Sequence, residues 1–298
     1  MADYQEYRRR VLHKRWRRVL LTASSLLLLL MLLAINLLWR SLQRDTRQTA
    51  TVSILAQEIP GTEWKSAQYV AARSLTVQKT DAGQTALDFR MAALPQTPAV
   101  DASYFTQASF LGDSLTQGMQ IYNTGLPNAN FCAYKGVGPN AVVNGTTCKR
   151  HDGAEEVPME ALAAQQPKVL YVLLGTNVLG RDGDYTNFLT YYRLMLDMIH
   201  QQLPDTVVYV QSITPVRPEV SAQERHAGLS KDRLCRINDE LAAIALEKNC
   251  YFLNLWEALA DENGDLKAEY AQPDGYHLKP EGYTAWVEYL STHTVSAA

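Results

Sequence analysis

The sequence predicts an α/β domain, a mostly parallel sheet covered by helices on both faces, carried behind a membrane-spanning N-terminal helix. Three observations predict it. Short apolar runs rich in Val, Leu, Tyr and Phe recur after residue 104, stretches of helical spacing separate them, and one uncharged N-terminal run is far too long for a strand.

The strand-like runs are ASFLG (108–112), NFCAYKG (130–136), KVLYVLLG (168–175), TVVYVQSI (206–213) and NCYFLNLW (249–256). Helical spacing is clearest over 185–203 and 224–248, where Leu234, Ile237, Leu241, Ile244 and Leu246 repeat every three to four positions. A last helix is expected to begin at Pro280, a residue suited to a first helical turn, and to turn Trp286 and Leu290 inward. In sheets of this kind functional residues gather where strands end and helices begin.

Residues 19–39, VLLTASSLLLLLMLLAINLLW, contain no charge and as a helix would extend for about 30 Å, the thickness of a bilayer's hydrocarbon core. Seven Lys/Arg lie just before this run, between Arg8 and Arg18, whereas its far side is mixed (Arg40, Arg44, Asp45, Arg47). The positive-inside rule then puts the N-terminus in the cytoplasm and the rest of the chain outside the plasma membrane. The run is too long for a signal-peptide core and lacks a small-residue cleavage pattern after it, so an uncleaved single-pass anchor is expected. The bilayer is thus one expected partner.

The expected order is a basic cytoplasmic tail (1–18), the membrane helix (19–39), an extracytoplasmic stalk or linker (40–103) and the α/β domain (104–298). Pro60, Gly61, Gly83, Pro95 and Pro98 break any long periodicity in the stalk. Of 28 Lys/Arg and 31 Asp/Glu, residues 1–40 take eight and two, so the remainder carries a net charge of −9. That balance offers no basic surface for phosphates and excludes nucleic acid as an expected partner.

Ser114 follows the first strand-like run, in FLGDSLTQG. A serine hydroxyl becomes a useful nucleophile only when a base takes its proton. Of the six histidines, His277 alone follows an aspartate at short spacing in a Gly/Pro-rich loop before a helix, DGYHLKPEGY. Asp274 can hold one ring nitrogen of His277 and leave the other for Ser114. Donors for a developing oxyanion are available as the main-chain amide in YKGVG (Gly136, with Gly138 close by) and the Asn177 side chain in LLGTN. Arg217, in ITPVRPE after the fourth run, is a candidate for an anionic or glycan group, and equally a solvated loop charge.

FLGDSLTQG, KGVG, LLGTN and DGYHLKPEGY together resemble, in order, the four sequence blocks of the SGNH hydrolases, also called GDSL esterases, over roughly residues 105–293. The lead-in DASYFTQASFLGDS is similar to membrane-anchored bacterial members. The resemblance implies a flavodoxin-like three-layer α/β/α fold on a five-stranded sheet, and a serine esterase working without metal or cofactor. It implies Ser114 as nucleophile and oxyanion amide, Gly136 as second amide, Asn177 as side-chain donor, Asp274 as orienting acid and His277 as base. The asparagine usual before the glycine block is absent (Ala133, Tyr134, Lys135), leaving Gly136 and Gly138 as alternatives.

With the expected location, this points to deacetylation of cell-wall or surface glycans. A lipase or lysophospholipase, an acyltransferase to sugars, and an anchored binding module without activity are the alternatives. Rival signatures fail: the serine is not in G-x-S-x-G, GVGPNA does not complete G-x-G-x-x-G, and no G-x-x-x-x-G-K-[ST] occurs. CKRH (148–151) lacks a second ligand pair for zinc. Cys235 and Cys250 read as small core residues, whereas Cys132 and Cys148 flank the glycine block and are candidates for a bridge bracing it.

Overall fold

A computed structural model describes residues 87–295 except 123 and 127, together with Met31. The chain falls into two units, 1–49 and 50–298, and all described residues but Met31 lie in the second. The expected membrane span, apart from Met31, and residues 40–86 of the expected stalk lie outside the described residues. Among the described residues no helix is long and apolar enough to cross a membrane.

In chain order the elements are α1 (Phe89–Ala92), β1 (Ala108–Gly112), α2 (Ser114–Ile121), β2 (Asn130–Ala133), α3 (Pro139–Val143), β3 (Cys148–Lys149), β4 (Glu155–Glu156), α4 (Pro158–Gln165), β5 (Val169–Leu173) and α5 (Thr176–Leu179). Then follow α6 (Thr186–Gln202), β6 (Val207–Gln211), α7 (Lys231–Glu247), β7 (Tyr251–Leu253), α8 (Trp256–Leu259) and α9 (Pro280–Ser291). Five strands form one parallel sheet in the order β2-β1-β5-β6-β7, and β3 and β4 form a small antiparallel ribbon.

The period-two alternation of the strands divides the core in two. On one face Phe131, Phe110, Tyr171, Tyr209 and Tyr251 stand in register across all five strands, with successive ring centroids 5.1, 4.8, 4.9 and 5.5 Å apart. Such aromatic pairs add about 0.5–1.5 kcal/mol each beyond area burial. Leu115 and Met119 of α2 and Tyr283, Trp286 and Leu290 of α9 cover this face. On the other face Leu111, Leu170, Val172, Val208 and Val210 meet Tyr192, Met195, Leu196 and Ile199 of α6 and Leu234, Ile237, Leu241 and Ile244 of α7. Both helices present apolar residues every three to four positions, as a one-sided packing stripe requires. The result is the expected three-layer arrangement.

Three boundaries differ from expectation. Residues 87–103, placed in the stalk by their prolines, pack as part of the domain. Phe89 and Ala92 are buried, Ala93 bridges Phe252, and the Thr97 and Val100 amides donate to the Thr292 and Ser291 carbonyls at 2.6 and 2.8 Å. Proline is tolerated in such an extended edge segment because the donors used there come from the other residues, Leu94, Thr97 and Val100. The long helix starts at Lys231 rather than near 224, because Gly228 packs directly on the Leu179 and Arg181 carbonyls and interrupts the helical path. β7 stops at Leu253 because buried Asn254 turns the chain, its Oδ1 accepting from the Trp256 amide at 3.2 Å.

Candidate active site

β1 ends at Gly112, and the next two residues form a strand-to-helix turn. Asp113 is extended (φ −100°, ψ −150°) and its Oδ1 accepts from the Leu115 amide at 3.0 Å, which makes it the N-cap of α2 and Ser114 the first helical residue. A Cβ at Gly112 would overlap the Thr116 side chain and come within 2.8 Å of the Leu173 carbonyl oxygen, so only glycine lets helix and sheet approach here. Gly112→Ala is expected to destabilise the fold by roughly 1–3 kcal/mol, a loss to be read from urea melts.

β1 lies between β2 and β5, which makes the C-terminal edge of β1 the switch point where such sheets place their functional residues. Asn177 sits at that edge, on α5 just after β5. From the other side the Tyr134 amide donates to the Gly112 carbonyl at 3.0 Å, which holds the start of the glycine turn beside Ser114. Gly136 has φ +80°, a conformation costly for other residues. Gly138 heads α3, where a Cβ would lie 2.6 Å from Val178 Cγ1, next to Asn177. The two glycines are required for different reasons: one for its turn, the other for close approach.

The fourth segment is a hairpin. Ala271 bridges Leu278, the Gly275 amide donates to the Gln272 carbonyl at 2.9 Å, and the Gln272 amide donates to the His277 carbonyl at 2.8 Å. Pro273, Asp274 and Gly275 (φ +82°) supply the turn and its left-handed position. Asp274 Oδ1 accepts from the Tyr276 and His277 amides at 3.2 and 3.0 Å, leaving Oδ2 2.7 Å from His277 Nδ1. His277 Nε2 lies 2.9 Å from Ser114 Oγ, joining groups 163 positions apart in the chain. Burial raises the Asp274 carboxyl, but the His277 ring and the two amides outweigh it and hold it below its ordinary value. An ionised carboxylate there favours the tautomer with Nδ1 protonated and Nε2 open to the hydroxyl proton.

The sequence model described as "GDSL-like Lipase/Acylhydrolase family" matches residues 110–285, more than half of the chain. The chain belongs to this family. It is an esterase-type hydrolase, and the four blocks that prompted the resemblance fall within or beside the matched segment. A GDSL-like lipase from Bacteroides thetaiotaomicron is similar over 63% of this chain and 87% of its own, at 15% identity and TM-score 0.48. A lipase/acylhydrolase from Enterococcus faecalis is similar over 62% and 92%, at 16% identity and TM-score 0.45. An acetyl xylan esterase is similar over 61% and 96%, at 15% identity and TM-score 0.45. No curated protein matches the chain.

This GDSL-like hydrolase carries a group that the sequence reading passed over. Asp113 is fully buried, and its Oδ2 accepts from Asn177 Nδ2 at 2.9 Å. Its signal was present: an acid between a buried strand and a helix, where a neutral cap would suffice. Burial pushes its carboxyl up from 3.8 to about 6, against the Leu115 amide, the His277 charge and Asn177, which favour ionisation. Between those values the folded chain keeps a proton that the unfolded chain has lost. Stability contributed by Asp113 therefore falls as pH rises from about 4 to about 6 and is level above, a total change of about 3 kcal/mol. Urea melts across this range are expected to show that slope, and Asp113→Asn to reduce it. Asp239, raised by burial to about 7, leaves a slope of the same sign in the variant.

Arg217 Nη1 donates to the Leu266 carbonyl at 2.7 Å and lies 3.7 Å from Asp261, while Glu219 is 3.6 Å from Nε. Its amide donates to the Gly275 carbonyl at 2.8 Å, so Arg217 braces the Asp274–His277 hairpin. Cys132 and Cys148 are both free thiols. The first packs toward Gln165 Oε1 (3.8 Å) and the second donates to the Thr146 carbonyl (3.3 Å), both within one buried apolar cluster, so the bridge expected as a candidate is not formed. Cys250 is buried as expected, and Cys235 is partly buried. Among the described residues no cluster of three His, Cys, Asp or Glu side chains is placed to hold a metal ion.

Proposed function

We propose that the protein is a membrane-tethered serine esterase that works outside the plasma membrane and removes O-acetyl groups from cell-wall or surface glycans. The observation that carries the reading is the hydrogen-bonded line from Ser114 Oγ through His277 to Asp274, at 2.9 and 2.7 Å. In the proposed reaction His277 Nε2 takes the Ser114 proton as Oγ attacks the ester carbonyl. The oxyanion rests on the Ser114 amide, which as the first of α2 has no carbonyl one turn back, on the Gly136 amide and on the Asn177 side chain. His277 then protonates the leaving alcohol. Water gives its proton to His277, attacks the acyl-Ser114 carbonyl, and frees the acid and the serine.

The tether is supported by the uncharged run 19–39 behind seven basic residues. A domain held outside the membrane by such an anchor has wall and surface glycans within reach, which favours their acetyl esters as substrate. A second reading, cleavage of lipid or lysolipid esters, is favoured by Val178. This side chain is 44% exposed, next to Asn177 and against Gly138, and gives the site an apolar lip. Incubating the full chain with O-acetylated peptidoglycan and, separately, with lysophospholipid tests the choice. Acetate release is expected; fatty-acid release alone would overturn the glycan reading in favour of the lipid one.

A further inference from the structure

Asp113 is a buried carboxylate that the proposed reaction does not use. It is 0% exposed, and no salt bridge reaches it among the described residues. The titratable groups facing it are His277 and Tyr276 from the hairpin, Tyr192 from α6 and Tyr283 from α9. Leaving such a carboxylate without a cation is costly. Capping α2 does not require it, since serine or asparagine caps a helix as well as aspartate.

What a carboxylate adds over those caps is a second acceptor. Oδ1 is committed to the Leu115 amide at 3.0 Å, and Oδ2 to Asn177 Nδ2 at 2.9 Å. An asparagine at 113, capping through Oδ1, would set its own NH₂ against that of Asn177. A serine would leave Asn177 with nothing to hold. We propose that Asp113 is a positioning residue, whose second carboxylate oxygen locks one N–H of Asn177 and thereby aims the other at the oxyanion. The inference rests on the reading of Asn177 as an oxyanion donor. An amide has two donors about 120° apart, so fixing one fixes the other. The same bond excludes the flipped rotamer, which would place a carbonyl oxygen, and its repulsion, at the developing negative charge.

The test is a double-mutant cycle on the full chain with 4-nitrophenyl acetate, comparing D113N, N177A and D113N/N177A, with circular dichroism melts to establish folding. N177A is expected to lower kcat by about 10²–10³-fold. D113N is expected to lower it by about 10–100-fold with KM nearly unchanged, and the double variant to be no slower than N177A alone. If N177A is costly while D113N is silent, or the two losses multiply, the positioning role is overturned and the oxyanion reading stands. If N177A is silent, the oxyanion reading itself falls and takes this inference with it. Should D113N fail to fold, D113S keeps a helix cap and carries the same expectations.

Discussion

Replacing Ser114 with alanine is expected to lower ester turnover on the order of 10⁵- to 10⁶-fold while leaving the fold intact. Ser114 Oγ bonds only to His277 Nε2 among the described residues, so its removal costs the domain one partly buried hydrogen bond, about 1 kcal/mol. The proposed reaction loses its nucleophile. Residual activity at the level of the oxyanion donors alone would remain, and kcat measured beside a thermal melt separates this outcome from unfolding. A variant that kept its turnover would remove Ser114 from the reaction.

Asp274→Asn is the second large effect, about 10⁴-fold in kcat. Asparagine can keep Oδ1 as acceptor for the Tyr276 and His277 amides, so the hairpin is expected to hold its shape. What changes is the atom facing His277 Nδ1, now an N–H donor where Oδ2 accepted. The imidazole then shifts its proton to Nε2 and can no longer accept from Ser114. Asp274→Ala lacks even the turn bonds, and is expected to lose stability as well as rate. Equal kcat in wild type and Asp274→Asn, at any pH from 6 to 9, would show that the acid does not set the tautomer.

Much of this was legible in the chain. The five strands were visible because parallel strands buried on both faces read as continuous apolar runs, and ASFLG has the bounds of β1. The Ser114, Asn177 and His277 segments were legible because each follows such a run or opens a helix, and the α/β architecture gathers those ends at one edge. Pairing Asp274 with His277 needed only a three-residue spacing in a turn. Contacts decided by tertiary approach were less visible. Nothing in the local pattern of residues 87–103 shows that α1 packs on the far edge of the sheet, since its partners lie around Asp239 and Phe252. The bond from Arg217 runs to a main-chain carbonyl at Leu266, 49 positions away and without sequence signature. The Asp113–Asn177 bond joins residues 64 apart, from two blocks that each looked complete alone.

The most direct measurement is labelling of the full chain by a fluorophosphonate, with the adduct mapped by peptide mass spectrometry. One adduct is predicted, on Ser114, formed at a rate that collapses in His277→Ala although that variant still folds. A folded wild-type protein that stays unlabelled, carries the adduct on another residue, or labels Ser114 equally well without His277 would contradict a serine activated by that histidine.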